Sequence, residues 1–217
     1  MAQEVISIAA EDDDAIGYGV TNATDRSNVT SVKKSFAWIM IGQSGGYRGC
    51  MAGMRFNSVD IAKDATVSSA VIKVNAYQSS NFEPSCRIVC EDNDDAATFV
   101  ETDTDFESAN RPATTAAAVN WDNIEDWVGS SWYTCPSFDE HAEEVFARPS
   151  WASGNDFVVF FENRVTGAYR QHYFDSWQTD KAELTIDYTA GGGGGNLVKH
   201  QAVQRPIKAP HQQRQGV

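Results

Sequence analysis

The sequence predicts an all-β protein: a jelly-roll-like β-sandwich with one short helix, followed by an extended C-terminal arm. Three observations carry this. Short apolar runs of strand length recur along the chain, separated by clusters of Gly, Asn, Asp and Ser, which is the punctuation of many short strands. Residues 137–148 alone combine helical periodicity with a capping pattern. Five consecutive glycines, Gly191 to Gly195, then divide the chain into a domain (1–190), a linker (191–195) and an arm (196–217). A glycine run has no side chain to bury and the most backbone freedom to lose, so it reads as a tether.

Taken in order, the N-terminal acidic run Glu11, Asp12, Asp13 and Asp14 reads as a surface loop entering a strand. Residues 36–41 form an apolar strand that stops at Gly42, a turn covers 43–46, and a strand resumes over 47–56. Residues 67–77 alternate apolar and polar side chains, the period of a strand with one buried face. Segments 87–91, 116–121, 157–162, 169–174 and 183–188 complete the set. Between them, Ser137 is placed to N-cap a helix and Glu140, three residues on, to close a capping box. Phe138, Ala142, Val145 and Phe146 then make one apolar stripe, and Pro149 ends it. Such a helix would seal the sandwich and shield strand ends.

Bulk properties set limits. A chain of 217 residues with 41% hydrophobic and 11% aromatic content can build one sizeable β core. The net charge of −13 is unevenly placed: residues 196–217 carry Lys199, Arg205, Lys208 and Arg214 without Asp or Glu, which leaves −17 on residues 1–195. An acidic body argues against nucleic acid and against anionic membrane as partners. No apolar window has the length of a membrane helix, and the N-terminus lacks the basic and apolar regions of a secretory signal, so assembly in a cytoplasm is expected. The four cysteines, Cys50, Cys86, Cys90 and Cys135, lack zinc-knuckle spacing. They read as buried free thiols.

Several stretches share an order with a known module. Residues 54–61 and 64–70, the acidic loop 91–99, Asn110 to Thr115 followed by Val119, Asn120 and Trp121, and residues 145–155 resemble DNRLRE-type and related carbohydrate-binding-module-like β-sandwiches. The resemblance spans residues 48–188; residues 1–47, the glycine run and the arm lie outside it. It implies a non-catalytic module of the kind found in tailed-phage virion proteins and bacterial surface proteins.

Gly42 to Gly46 is a glycine turn rather than a nucleophile elbow. Among the histidines, His200 and His211 are in the arm, His141 is on the helix and His172 on a strand, with no metal-ligand spacing between them. Neighbouring carboxylates in one loop rarely supply the opposed pair that glycoside cleavage needs, so no catalysis is expected. For Asp92, Asn93 and Asp94 two readings stay open: oxygen ligands for calcium, or a turn whose Asp and Asn satisfy their own backbone. Trp127, Trp132 and Tyr133 stand in a Gly/Ser-rich stretch that would expose them as sugar-stacking rings, whereas Trp38, Trp121 and Trp151 read as core.

The expectation is therefore a structural virion protein of a tailed bacteriophage: a capsid decoration (cement) protein, assembled in the host cytoplasm and oligomeric. Its arm, through Lys199, Arg205, Lys208 and Arg214, would anchor it to other virion proteins, the major capsid protein first. Fully extended, such an arm reaches roughly 70 Å. The alternative is a carbohydrate-binding adhesin module of a tail fibre or cell-surface protein.

Overall fold

The computed structural model describes residues 1–46, 48–167 and 169–191. They form twelve strands and one α-helix: β1 (Ala2–Ser7), β2 (Asp14–Thr21), β3 (Val29–Lys33), β4 (Trp38–Gln43), β5 (Arg48–Phe56), β6 (Thr66–Asn75), β7 (Cys86–Cys90), β8 (Val119–Trp121), β9 (Trp132–Thr134), α1 (Asp139–Phe146), β10 (Phe157–Asn163), β11 (Arg170–Asp175) and β12 (Glu183–Thr189). The strands build two antiparallel sheets, the all-β sandwich expected. One sheet has the order β1-β12-β6-β9; the other runs β11-β4-β5-β10-β7-β8, with the β2–β3 hairpin added on β5.

Pairing register explains the jelly-roll character. β2 and β10 flank β5 on opposite sides, since both pair with residues 52–54. β4 pairs with β5 only at Gly42↔Cys50 and Gln43↔Gly49, next to their connecting turn, and then departs. Its partner β11 meets the end of β6 through an Ala76↔Phe174 bridge and a Tyr77 N–H bond to the Tyr173 carbonyl (3.0 Å). The β4–β11 pair thus joins the two sheets along one side.

Alternation decides which residues meet inside. On β6, Ala70, Ile72 and Val74 are buried in step, but Val67 is out of phase with them. The register slips between Asp187 and Tyr188 on β12, so Ser68 is an extra residue and Val67 turns inward. β5 is buried on both faces. Cys50, Ala52, Met54 and Phe56 enter the main core between the sheets, while Met51 enters a second core outside the larger sheet. That second core is covered by the loop between β7 and β8, whose Phe99 and Phe106 pack on each other (ring centroids 5.1 Å apart) and on Phe160 (6.0 and 5.2 Å). Gly53 and Gly17 make room for it: a Cβ on Gly53 would stand 2.6 Å from the Phe106 ring and 2.7 Å from Phe99, and one on Gly17 2.4 Å from Phe106.

Two sequence expectations are corrected. Ser137 does not cap the helix; Phe138 takes the N-cap position with no side-chain cap bond. The chain is still pairing with β6 at this point, through Cys135 N–H to Ile72 O and Phe138 N–H to Ala70 O (both 2.9 Å). It therefore turns helical one residue later, and the Ser137 hydroxyl accepts the Ala70 N–H (3.1 Å) and donates to Asp139 (2.9 Å). The apolar stripe is as expected, with Phe138, Ala142, Val145 and Phe146 all buried. The run Glu11 to Asp14 is not a surface loop. It is a 3-10 turn (Glu11–Asp13) leading into β2, with Asp13 and Asp14 buried and bonded to Arg55 and to the Trp177 N–H. All four cysteines are free and buried.

Candidate functional site

The long β7–β8 loop carries the acidic residues singled out from the sequence, and arginines hold it down. Asp92 and Asp94 both face Arg148, just beyond α1: its Nη1 bonds Asp92 and its Nε lies 3.1 Å from Asp94 Oδ1. Asn93 donates to Glu91 Oε1 (3.0 Å) and accepts the Asp95 N–H (3.2 Å), closing a local turn. The oxygens weighed as calcium ligands are thus committed to a guanidinium and to the loop's own backbone. Among the described residues, no cluster of three His, Cys, Asp or Glu side chains is arranged to hold a metal ion.

Three further arginines fix the same loop to the sheet. Arg111 pairs with Glu91 (2.8 Å) and Asp105 (3.2 Å) and donates to the Ala97 and Thr98 carbonyls. Arg55 on β5 pairs with Asp13 (2.5 Å) and Asp156 and donates to the Ala96 carbonyl (2.7 Å). Arg26 is fully buried. It pairs with Glu162 (2.6 Å), donates to the Arg111 carbonyl (2.7 Å), and lies over the Phe160 ring at 3.9 Å. Glu162 also receives Arg87 (2.5 Å). Buried charge is tolerated when paired and hydrogen-bonded; each of these guanidiniums has a carboxylate partner, and Arg26 Nη2 alone among their buried nitrogens is left without a hydrogen bond among the described residues. Sequence reasoning missed them because the pairs that tie the loop to the sheet are remote in sequence: Arg26 and Glu162 are 136 residues apart, and Arg55 and Asp156 are 101 apart.

The aromatic candidates come together, but not as an open platform. Trp127 is 2% exposed, stacked between Tyr133 (4.9 Å, 14°) and His172 (4.4 Å, 19°). Its expected exposure is corrected: reciprocal backbone bonds between Ser80 and Trp127 (2.9 and 2.8 Å) draw the 122–130 loop onto its neighbour. Tyr133 is half-buried, with its hydroxyl accepting the Val128 N–H (2.7 Å). Trp132 is 41% exposed, yet the Lys73 ammonium sits 4.8 Å from its ring centre. The three rings therefore do not offer two coplanar exposed faces.

Beside Trp127 lies a cleft of 370 Å³ lined by Ser79, Ser80, Asn81, Asp126, Trp127 and Val128. At its wall the Ser80 hydroxyl contacts His172 Nδ1, while His172 Nε2 meets the Glu125 carbonyl (3.0 Å). Burial holds the imidazole below its usual pKa, so it is neutral, with Nε2 the donor and Nδ1 the acceptor. A serine hydroxyl on a neutral imidazole is the start of a nucleophile, but an acyl intermediate needs free N–H donors nearby. Here the Ser80, Trp127 and Gly129 amides are bonded between the two loops and the Val128 amide to the Tyr133 hydroxyl on β9. His172 on β11 thus ties the Ser80 segment and the Glu125 carbonyl to the larger sheet.

Lys199, Arg205, Lys208 and Arg214 of the arm lie outside the described residues. Gly191, the first of the glycine run, is described and is packed: a Cβ there would stand 2.1 Å from the Asp64 carbonyl oxygen.

No protein-family model and no curated protein sequence matches the chain. Among solved structures, a family two carbohydrate esterase from Cellvibrio japonicus aligns over 88% of this chain and 36% of its own, at 8% identity and a TM-score of 0.31. The chain thus spans about a third of that protein, and a likeness this low carries no argument about activity.

Proposed function

We propose that the chain is a structural, non-catalytic protein of a tailed-bacteriophage virion, a capsid decoration (cement) protein anchored through its basic arm. The observation that carries this reading is the division of charge. Residues 1–195 hold −17 and residues 196–217 hold +4, while the buried arginines of the body are engaged in internal cross-links. A stiff acidic body suits a particle surface, where like charge keeps particles apart. The basic arm, with its glycine tether, suits attachment to the major capsid protein, and oligomerisation would follow the capsid lattice. The resemblance of residues 48–188 to modules found in virion proteins supports the same reading.

The test is a truncation ending at residue 190. The truncated protein should keep its thermal transition and fail to join capsids in a reconstitution with the major capsid protein. Normal incorporation of the truncated chain would refute anchoring by the arm. The second reading, a carbohydrate-binding adhesin module, finds no open ring at Trp127 and is favoured instead by the cleft that Tyr18, Lys33, Phe36 and Arg48 line.

A further inference from the structure

Near the β4–β5 turn, where β4 leaves β5, the inner face of the larger sheet reaches solvent. Alternate residues of β5 share a face. Cys50 and Ala52 enter the main core, whereas Arg48, in step with them, is exposed. Register adds the hairpin: Tyr18 on β2 stands opposite both Cys50 and Ser31, and Ile16, a core residue, stands opposite Lys33. Tyr18, Ser31, Lys33 and Arg48 therefore line the same inner margin. Phe36 from the β3–β4 connection and Ser44 and Gly45 from the turn close a cleft of 580 Å³ with them. Ligand pockets typically measure roughly 300–1,000 Å³.

The lining is cationic without carboxylates, whereas most arginines of the body are neutralised. Arg26, Arg55, Arg87, Arg111, Arg148 and Arg164 are each paired with a carboxylate. The Lys33 and Arg48 side chains have no hydrogen bond or ion pair among the described residues, and no carboxylate lines the cleft. Two unpaired cations facing one opening in a chain of net charge −13 make a local site for an anion. Burial pushes the Tyr18 phenol up to about 12, so with Ser31 and Ser44 it supplies neutral hydroxyls. Phe36 is half-buried and stacks on Trp38 (5.1 Å, 11°), which abuts Tyr173 edge-on (4.8 Å). This fixes the Phe36 ring as a rigid flat wall.

We propose that this cleft binds a sugar acid, a uronic or ulosonic acid residue. Its carboxylate lies toward Lys33 and Arg48, its ring face on Phe36, and its hydroxyls on Tyr18, Ser31 and Ser44. Hydroxyl groups and a flat apolar wall beside the cations match a polyol ring better than an acidic peptide, which presents carboxylates without ring hydroxyls. The acidic body repels a long polyanion, so the occupant is a single acidic sugar within an otherwise neutral glycan. The inference concerns the body alone and does not depend on the arm.

The experiment is calorimetric and NMR titration of the full chain with methyl glycosides of glucuronic and N-acetylneuraminic acid. Methyl glucoside, acetate, sulfate and a glutamate-rich peptide serve as controls. Saturable binding is expected for at least one sugar acid, about ten-fold or more tighter than for any control, because methyl glucoside lacks the ion pair and acetate, sulfate and the peptide lack the ring and hydroxyl contacts. Arg48→Gln, Lys33→Gln and Phe36→Ala should each weaken it about ten-fold, and Lys33→Glu should abolish it; thermal melts confirm that each variant folds. Equal binding of acetate or sulfate would reduce the cleft to a simple anion site and overturn the proposal. So would equal binding of the neutral glycoside or of the peptide, affinity unchanged by Arg48→Gln, or no saturable binding of either sugar acid.

Discussion

Replacing Arg26 by Met tests whether buried ionic cross-links, rather than apolar area, hold the β7–β8 loop to the sandwich. Arg26 is 0% exposed and its partner Glu162 is 2% exposed. Methionine keeps most of the packing over Phe160 but removes the Nε bond to Glu162 (2.6 Å) and the Nη1 bond to the Arg111 carbonyl (2.7 Å). Glu162 then keeps only Arg87, whose side chain is 36% exposed, as partner for a carboxylate shut away from water. Breaking one side of a buried pair costs about 3–5 kcal/mol. In a domain of this size each kcal/mol lowers Tm by roughly 2–4 °C, so a fall of roughly 6–20 °C is expected. The assay is thermal and urea unfolding followed by circular dichroism. Adding Glu162→Leu to Arg26→Met removes the stranded carboxylate and should recover about half of the loss, because an apolar replacement of a whole pair is often close to neutral. A loss for Arg26→Met below about 1 kcal/mol, or a double variant at the sum of the singles, would show that the pair does not support the fold.

Phe106→Ala empties the centre of the second core and should cost about 3–5 kcal/mol, with amide exchange rising first in residues 92–118; unchanged exchange there would mean that the loop is held without its aromatics. Burial raises the Asp14 carboxyl from the ordinary 3.8 to about 7. The folded state therefore holds this proton more tightly than the unfolded one, and the resulting stability is present below about pH 4 and lost as pH rises through about 7. Asp14→Asn should remove that slope, so the gap in Tm between variant and parent changes across this window; a constant gap would refute it. EDTA should leave Tm unchanged while Arg148→Ala lowers stability by about 1 kcal/mol, as befits a partly exposed ion pair; a large fall with EDTA that calcium reverses would make Asp92 and Asp94 ligands. Gly191→Val should lower Tm, because its Cβ would meet the Asp64 carbonyl at 2.1 Å; an unchanged melt would place the tether clear of the body.

What the sequence disclosed followed from periodicity. β6 and β12 show one buried face, and the stripe Phe138, Ala142, Val145 and Phe146 marks the face of α1. β1 is hard to read because it is an edge strand with Ala2, Gln3, Val5 and Ser7 exposed and Glu4 and Ile6 only partly covered, so its apolar contrast is weak, and β9 because three residues are too few to show a period. In β2 the glycines resemble a turn signal, yet Gly17 is small because Phe106 presses on it, and Gly19 because Ala23 does. Those contacts come from distant or looped-back chain, so no local pattern announces them.

The same distinction governs the sites. A Gly/Ser-rich setting suggested an open Trp127, but exposure is decided by what another loop lays over a residue, here the strand-like pairing with Ser80. Nothing local in the sequence marks Arg26, Arg55 and Arg111 as buried, yet the fold covers all three. The loop they hold has few large apolar side chains beyond Phe99 and Phe106, and many backbone carbonyls that need donors once covered. A guanidinium supplies five donors in a fixed fork, so one arginine bonds carboxylates and carbonyls from several segments together, as Arg111 does with Glu91, Asp105, Ala97 and Thr98. Against that background Lys33 and Arg48 gain their meaning. Where Arg26, Arg55, Arg111 and Arg148 close loops, Lys33 and Arg48 face a cleft, and an unpaired cation at a concave, hydroxyl-lined surface is available to a ligand from outside.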